Sequence, residues 1–167
     1  MYHSIREFEE SWKQESANTA KLLNALSDQS LSQEVAKDHR NLGRIAWHIV
    51  TTFPEMMKQT GLEVGSVKGD APLPTSAKEI AAAYEKVSQE LLDQITSKWS
   101  DESLQQEDEM YGMKWKKGST LSILVNHEVH HRGQMTVLMR QAGLKVAGVY
   151  GPSYDEWDQF GQKPPEV

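Results

Sequence analysis

Three of the chain's six histidines fall in one short run, Asn126-His127-Glu128-Val129-His130-His131-Arg132-Gly133-Gln134. Apolar stretches at 121–125 and 135–139 flank it and place it in the middle of a long helix rather than on a loop. At about 100° per residue, His127 and His131 project from one side, roughly 40° apart, together with Leu124, Met135, Leu138 and Ala142. His130 points away from them by about 100°. Two imidazoles one turn apart on an apolar stripe are costly if left dry, since each keeps a ring nitrogen that needs a partner. A divalent ion removes that cost, and histidines at i and i+4 are a common helix-borne ligand pair. Such an ion needs a third protein ligand from elsewhere in the chain.

His48, in the run Leu-Gly-Arg-Ile-Ala-Trp-His-Ile-Val, is the candidate. It borders a stripe formed by Leu42, Ile45, Ile49, Thr52 and Met56. A lone histidine there is more often a hydrogen-bonded core residue than a ligand. Three histidines on two inward stripes, however, are hard to satisfy separately, which favours a metal over three structural roles. His3 and His39 lie near a terminus and a helix start, where solvated or capping roles are the default, and His130 reads as a surface or interface residue. Glu128 can be an acceptor for an imidazole N–H, a general base or a solvated flank, with the last two ahead of the first. Arg132 and Gln134 follow the pair and are further candidates for supporting it. Gly133 in mid-helix costs about 1 kcal/mol against alanine, and close helix packing is the simpler reason for it.

His127-Glu128-Val129-His130-His131 also satisfies the HExxH pattern of zinc peptidases, in which the glutamate activates water. The surrounding sequence does not support that reading. The extended form needs a glycine three and a histidine six residues past the second histidine, where this chain has Gln134 and Val137. The form with a downstream helical glutamate has only Glu156 nearby, in a segment broken by Gly151 and Pro152.

Four long amphipathic segments must position these residues. The first runs from Ser4 to Leu26. The second starts at a capping Asp38 and ends at Thr60, with Gly61 as its stop. The third opens on a capping box of Ser76 and Glu79 and reaches about Trp99. The fourth spans Thr120 to Ala142 and is closed by Gly143. Residues 62–74 are a loop by composition, and Glu109 to Lys116 fits a small hairpin with Gly112 at its tip. The tail from Val146 is irregular, with Tyr150, Tyr154, Trp157 and Phe160 offering apolar area for docking. A helix bundle is the economical arrangement.

A chain of 167 residues suits one domain, taken here as 1–167. Its net charge of −6 leaves no basic stripe for nucleic acid. The chain contains no cysteine, so any thiolate must arrive with a substrate. The N-terminal residues lack the pattern of a secretory signal, and no run approaches membrane-spanning length. A cytoplasmic protein without membrane or nucleic-acid partners is expected.

The run His-Glu-Val-His-His-Arg-Gly-Gln-Met, the histidine within Leu-Gly-Arg-Ile-Ala-Trp-His-Ile-Val, and the ending Arg-Gln-Ala-Gly-Leu-Lys-Val-Ala-Gly-Val-Tyr-Gly-Pro-Ser together resemble the DinB-like (DinB/YfiT) superfamily. The resemblance covers most of the chain. It implies an all-α four-helix bundle of up-down-down-up type, often a homodimer, with His48, His127 and His131 as the three ligands of a divalent metal. Zinc or nickel fits three imidazoles and water first, iron or manganese next. Several relatives transfer low-molecular-weight thiols such as bacillithiol or mycothiol, so a metal-dependent S-transferase acting on a small molecule is the expected function. A metal-dependent hydrolase and a non-catalytic, dimeric metal-binding or stress-response module are the alternatives, because fold and metal do not fix the reaction.

Overall fold

Ser4 opens the first helix, α1 (Ile5–Leu23), through a complete capping box: its hydroxyl accepts from the Glu7 N–H, and the Glu7 carboxylate accepts from the Ser4 N–H. A computed structural model describes residues 1–166 of the protein. A 3-10 turn (Asp28–Ser32) leads to α2 (Leu42–Lys58), followed by α3 (Ala77–Lys98), the strands β1 (Glu107–Met110) and β2 (Met113–Lys116), and α4 (Lys117–Gln141).

Two expected helix starts and one expected cap are corrected, while α3 begins after Ser76 as expected. Asp38 sits at φ 63°, a left-handed conformation that cannot serve as an N-cap, and Asn41 caps α2 by accepting from the Arg44 N–H at 2.8 Å. Ser76 makes no capping hydrogen bond. A tertiary acceptor takes its place: Asp28 accepts from the Ala77 N–H at 2.7 Å. α4 begins at Lys117, before the expected Thr120, because β2 feeds into it without a break.

The hairpin is as expected. β1 and β2 pair antiparallel, Glu107 with Lys116 and Met110 with Met113, around Tyr111 and Gly112 at φ 53° and 79°. Two consecutive positive φ values are the turn whose twist matches a tight hairpin.

The contacts fix the helix directions. Tyr2 donates its N–H to the Gly118 carbonyl at 3.1 Å, and further along Thr19 reaches Glu128, so α1 and α4 run the same way. A Cβ on Gly118 would lie 2.3 Å from the Tyr2 carbonyl, so only glycine permits this approach. Trp12 pairs with Ser88 and Asn24 with Glu85, which makes α1 and α3 antiparallel. α2 and α3 both start beside the Asp28–Ser32 turn, through Leu42 N–H to Gln33 O and Ala77 N–H to Asp28. The result is an up-down-down-up bundle in which α1 and α2 each pack against α3 and α4. The link 59–76 therefore runs back along the bundle, with Leu62 and Val64 buried and the Gly65 and Ser66 N–H groups each 2.9 Å from Glu90.

An aromatic series, Phe8, Trp12, Phe53 and Tyr84, crosses the core with centroid spacings of 5.8, 5.3 and 5.9 Å. The tail docks differently from expectation. Val146 is buried, Ala147 and Val149 pack partly against the core and Trp157 is half-buried, but Tyr150, Tyr154 and Phe160 are exposed. Polar contacts hold the segment instead: Arg140 to Asp155, and Glu156 to the Gly148 and Ser153 N–H groups. No helix among the described residues is long and apolar enough to cross a membrane.

Candidate metal centre

α2 and α4 lie side by side and antiparallel, which brings the His48 ring to the pair on α4. Ring centroids stand 5.0 Å apart for His48 and His127, 4.7 Å for His48 and His131, and 4.4 Å for His127 and His131. One ligand atom from each residue lies within 4.8 Å of the others. The Nε2 atoms of His127 and His131 face each other at 3.1 Å.

His131 Nδ1 lies 2.7 Å from Gln134 Oε1, an amide oxygen that can only accept. Nδ1 is therefore the protonated nitrogen, and the Nε2 lone pair is left pointing at His127. Gln134 Nε2 completes the arrangement by donating to His130 Nε2 at 3.1 Å. Among the described residues, neither the His48 nor the His127 ring has another protein hydrogen-bond partner, and no carboxylate touches the cluster.

Burial pushes His48 and His127 down to about 4, assisted for His48 by the Arg40 charge and for His127 chiefly by His131. His131 is lowered too, by burial, with the Gln134 bond acting in the opposite direction. At neutral pH all three imidazoles are uncharged with lone pairs available, the state a metal requires. Facing nitrogens, a fixed tautomer and a missing protein acceptor together fit a cation-binding site.

Of the supporting candidates, the structure brings only Gln134 to the histidines. Glu128 is 1% exposed, which overturns the solvated reading. Its Oε1 accepts from Thr19 on α1 at 2.5 Å and from Tyr84 on α3 at 2.7 Å, away from His48. Burial raises its pKa to about 7. Arg132 is equally buried and turned the same way, pairing with Glu15 at 2.5 Å and bonding Thr19 and Tyr150. Gly133 is also corrected: a Cβ there would meet nothing within 4 Å, so helix packing does not account for it.

A cavity of about 380 Å³ opens beside His131 and Gln134. Ile45, Val137 and Leu138 form its apolar side, and the 33–41 loop brings His39 and Arg40 to it. That loop is held by a bridge between Glu34 and Asn41 and by the Leu42 N–H on the Gln33 carbonyl. Arg40 carried no signal in the sequence, because only the fold of this loop aims it at the histidines.

A sequence profile of the DinB family matches residues 1–166. The protein YrdA of Bacillus subtilis (strain 168), itself uncharacterized, is 42% identical over 167 residues, the whole of both chains. A DinB-like protein of Bacillus cereus ATCC 10987, known from a crystal structure, is 48% identical and superposes with a TM-score of 0.86, covering 90% of this chain and all of its own. A second crystal structure, of the DinB-like protein YjoA of Bacillus subtilis, shares the fold with a TM-score of 0.68 at 19% identity, over 88% of this chain and 99% of its own.

Proposed function

The chain belongs to the DinB family, and on that footing we propose that it is a metal-dependent transferase that acts on a low-molecular-weight thiol. His48, His127 and His131 hold the divalent ion, zinc or nickel by preference and iron or manganese next. The observation that carries this reading is the pair of Nε2 atoms facing each other at 3.1 Å beside a cavity that reaches the same ring. A bound divalent ion supplies Lewis acidity, which lowers the pKa of a thiol or a water molecule.

The chain's own residues do the rest. Gln134 fixes the tautomer and orientation of His131. Ile45, Val137 and Leu138 keep part of the approach dry, which strengthens electrostatic contacts made there. The chain has no cysteine, so no protein sulfur competes with an incoming thiol. Glu128 is not placed to activate water at the histidines, and the third imidazole comes from upstream, so the peptidase scheme gains no support. A purely structural metal module would have no use for a cavity beside a ligand.

Cobalt substitution tests the proposal. Adding a small thiol to the cobalt-loaded protein is expected to change its visible spectrum, and an epoxide or alkyl halide is then consumed only when thiol and metal are both present. An unchanged spectrum with no consumption would leave the non-catalytic module as the better reading. Ester turnover without thiol would point to the hydrolase instead.

A further inference from the structure

The charge arrangement around the cavity beside His131 is one-sided. Arg40 lines it, and no aspartate or glutamate does. Among the described residues Arg40 makes no ion pair and no side-chain hydrogen bond, while five other cation–carboxylate pairs are formed elsewhere. A guanidinium beside a cluster built to take a cation, with no acid to offset either charge, is unfavourable until an anion arrives. Val35, Ile45, Val137 and Leu138 supply the apolar part of the wall, and His39, His131 and Gln134 its uncharged polar part.

We propose that this cavity binds a small organic carboxylate, with its apolar body against Ile45, Val137 and Leu138 and its charged end on Arg40. A planar guanidinium pairs a carboxylate through two parallel hydrogen bonds, which makes Arg40 a specificity-determining residue for one of the two substrates. The volume of about 380 Å³ suits a small molecule and excludes a folded partner. A single arginine facing the apolar part of the wall, with only His39, His131 and Gln134 as further polar neighbours, matches one negative charge rather than a phosphate. The inference rests on the reading of the site as one that accepts an exogenous ligand beside a metal.

The test compares hexanoate with the neutral, isosteric hexanamide on the full chain, with and without cobalt. Binding is followed by calorimetry and by the NMR shifts of the Val35 and Val137 methyls, and cobalt uptake is measured separately. Hexanoate is expected to bind about tenfold more tightly than hexanamide, a preference that Arg40→Gln abolishes and Arg40→Lys partly keeps. Equal binding of the two, a preference that survives Arg40→Gln, no binding of either, or inorganic phosphate binding better than hexanoate would each overturn the carboxylate site. A protein that takes up no cobalt but keeps the Arg40-dependent preference would refute the metal centre alone. One that takes up cobalt without the preference would refute only the carboxylate site.

Discussion

One turn and a half of α4 serves two regions that differ in how their polar groups are satisfied. On the side facing α2, His127 and His131 meet His48, and apart from the contact between the His127 and His131 Nε2 atoms, only one ring nitrogen of the three residues has a protein partner, at Gln134. On the side facing α1 and α3, Glu128 and Arg132 are almost fully buried yet paired, Glu128 with Thr19 and Tyr84 and Arg132 with Glu15, Thr19 and Tyr150. Neighbouring residues of a single run therefore build a network that the protein closes but for Glu128 Oε2, and a cluster of imidazoles that lacks protein partners for most of its ring nitrogens. A buried polar group needs a partner in either case. Three converging imidazoles, unlike one leftover carboxylate oxygen, form a donor set that could hold a cation.

The largest expected effect breaks the closed side. Arg132→Ala leaves Glu15 and the Thr19 hydroxyl without their cation, and removing one partner of a buried pair costs about 3–5 kcal/mol. Urea unfolding measures the loss, while metal affinity of the folded variant should stay within about twofold, since separate networks add independently. A metal affinity that collapses with Arg132 would show that the two sides are one unit. The open side is broken by His48→Ala or His131→Ala, each expected to weaken zinc or cobalt binding by on the order of 10²–10³-fold in chelator competition. If His48→Ala retains the parental affinity, α2 contributes no ligand.

The two sides also differed in how far the sequence revealed them. Helical periodicity placed His127 and His131 on one face and His48 on an inward border, because ligand direction within a helix follows from spacing alone. The bundle followed from four amphipathic stretches. Periodicity could not say which neighbour Glu128 and Arg132 would meet. Their partners Thr19, Tyr84 and Glu15 are long-range, so two deeply buried charged groups read as candidates for the site. Caps failed in the same way: Asp28 replaced Ser76 as the acceptor at the start of α3 from a distant turn, and Asp38 adopted a left-handed conformation fixed by its loop. The tail's aromatic residues suggested apolar docking, but its carboxylates and arginine contacts do the holding.

Glu128 sharpens the comparison through pH. Its folded pKa, about 7, lies above the unfolded value of 4.5, so the native state holds the proton more tightly. The associated stability is fully present below pH 4.5 and is lost as pH rises through 7, a decline on the order of 3 kcal/mol from this group alone. In metal-free protein, Glu128→Gln should flatten the fall in unfolding free energy between pH 5 and 8. A slope identical to the parent's would mean that Thr19 and Tyr84 already hold the carboxylate ionised. The histidines titrate the other way. With His48 and His127 near 4, metal retention should persist down through pH 6 and be lost towards 4, as protons begin to compete for the same lone pairs.

The smallest effect falls on the one contact that joins an open-side ligand to the protein. Gln134→Leu removes the acceptor from His131 Nδ1 and frees the ring to flip or change tautomer, without touching a ligand atom. Partners of this kind are worth about 10–100-fold in metal affinity. Gln134→Glu keeps an acceptor at the same place and adds a charge that draws the Nδ1 proton, so it should bind at least as tightly as the parent. The pair of variants separates orientation from simple packing: loss in Leu with recovery in Glu assigns Gln134 the role of positioning His131. Equal affinity in all three proteins would mean that the bundle alone holds the imidazole in place.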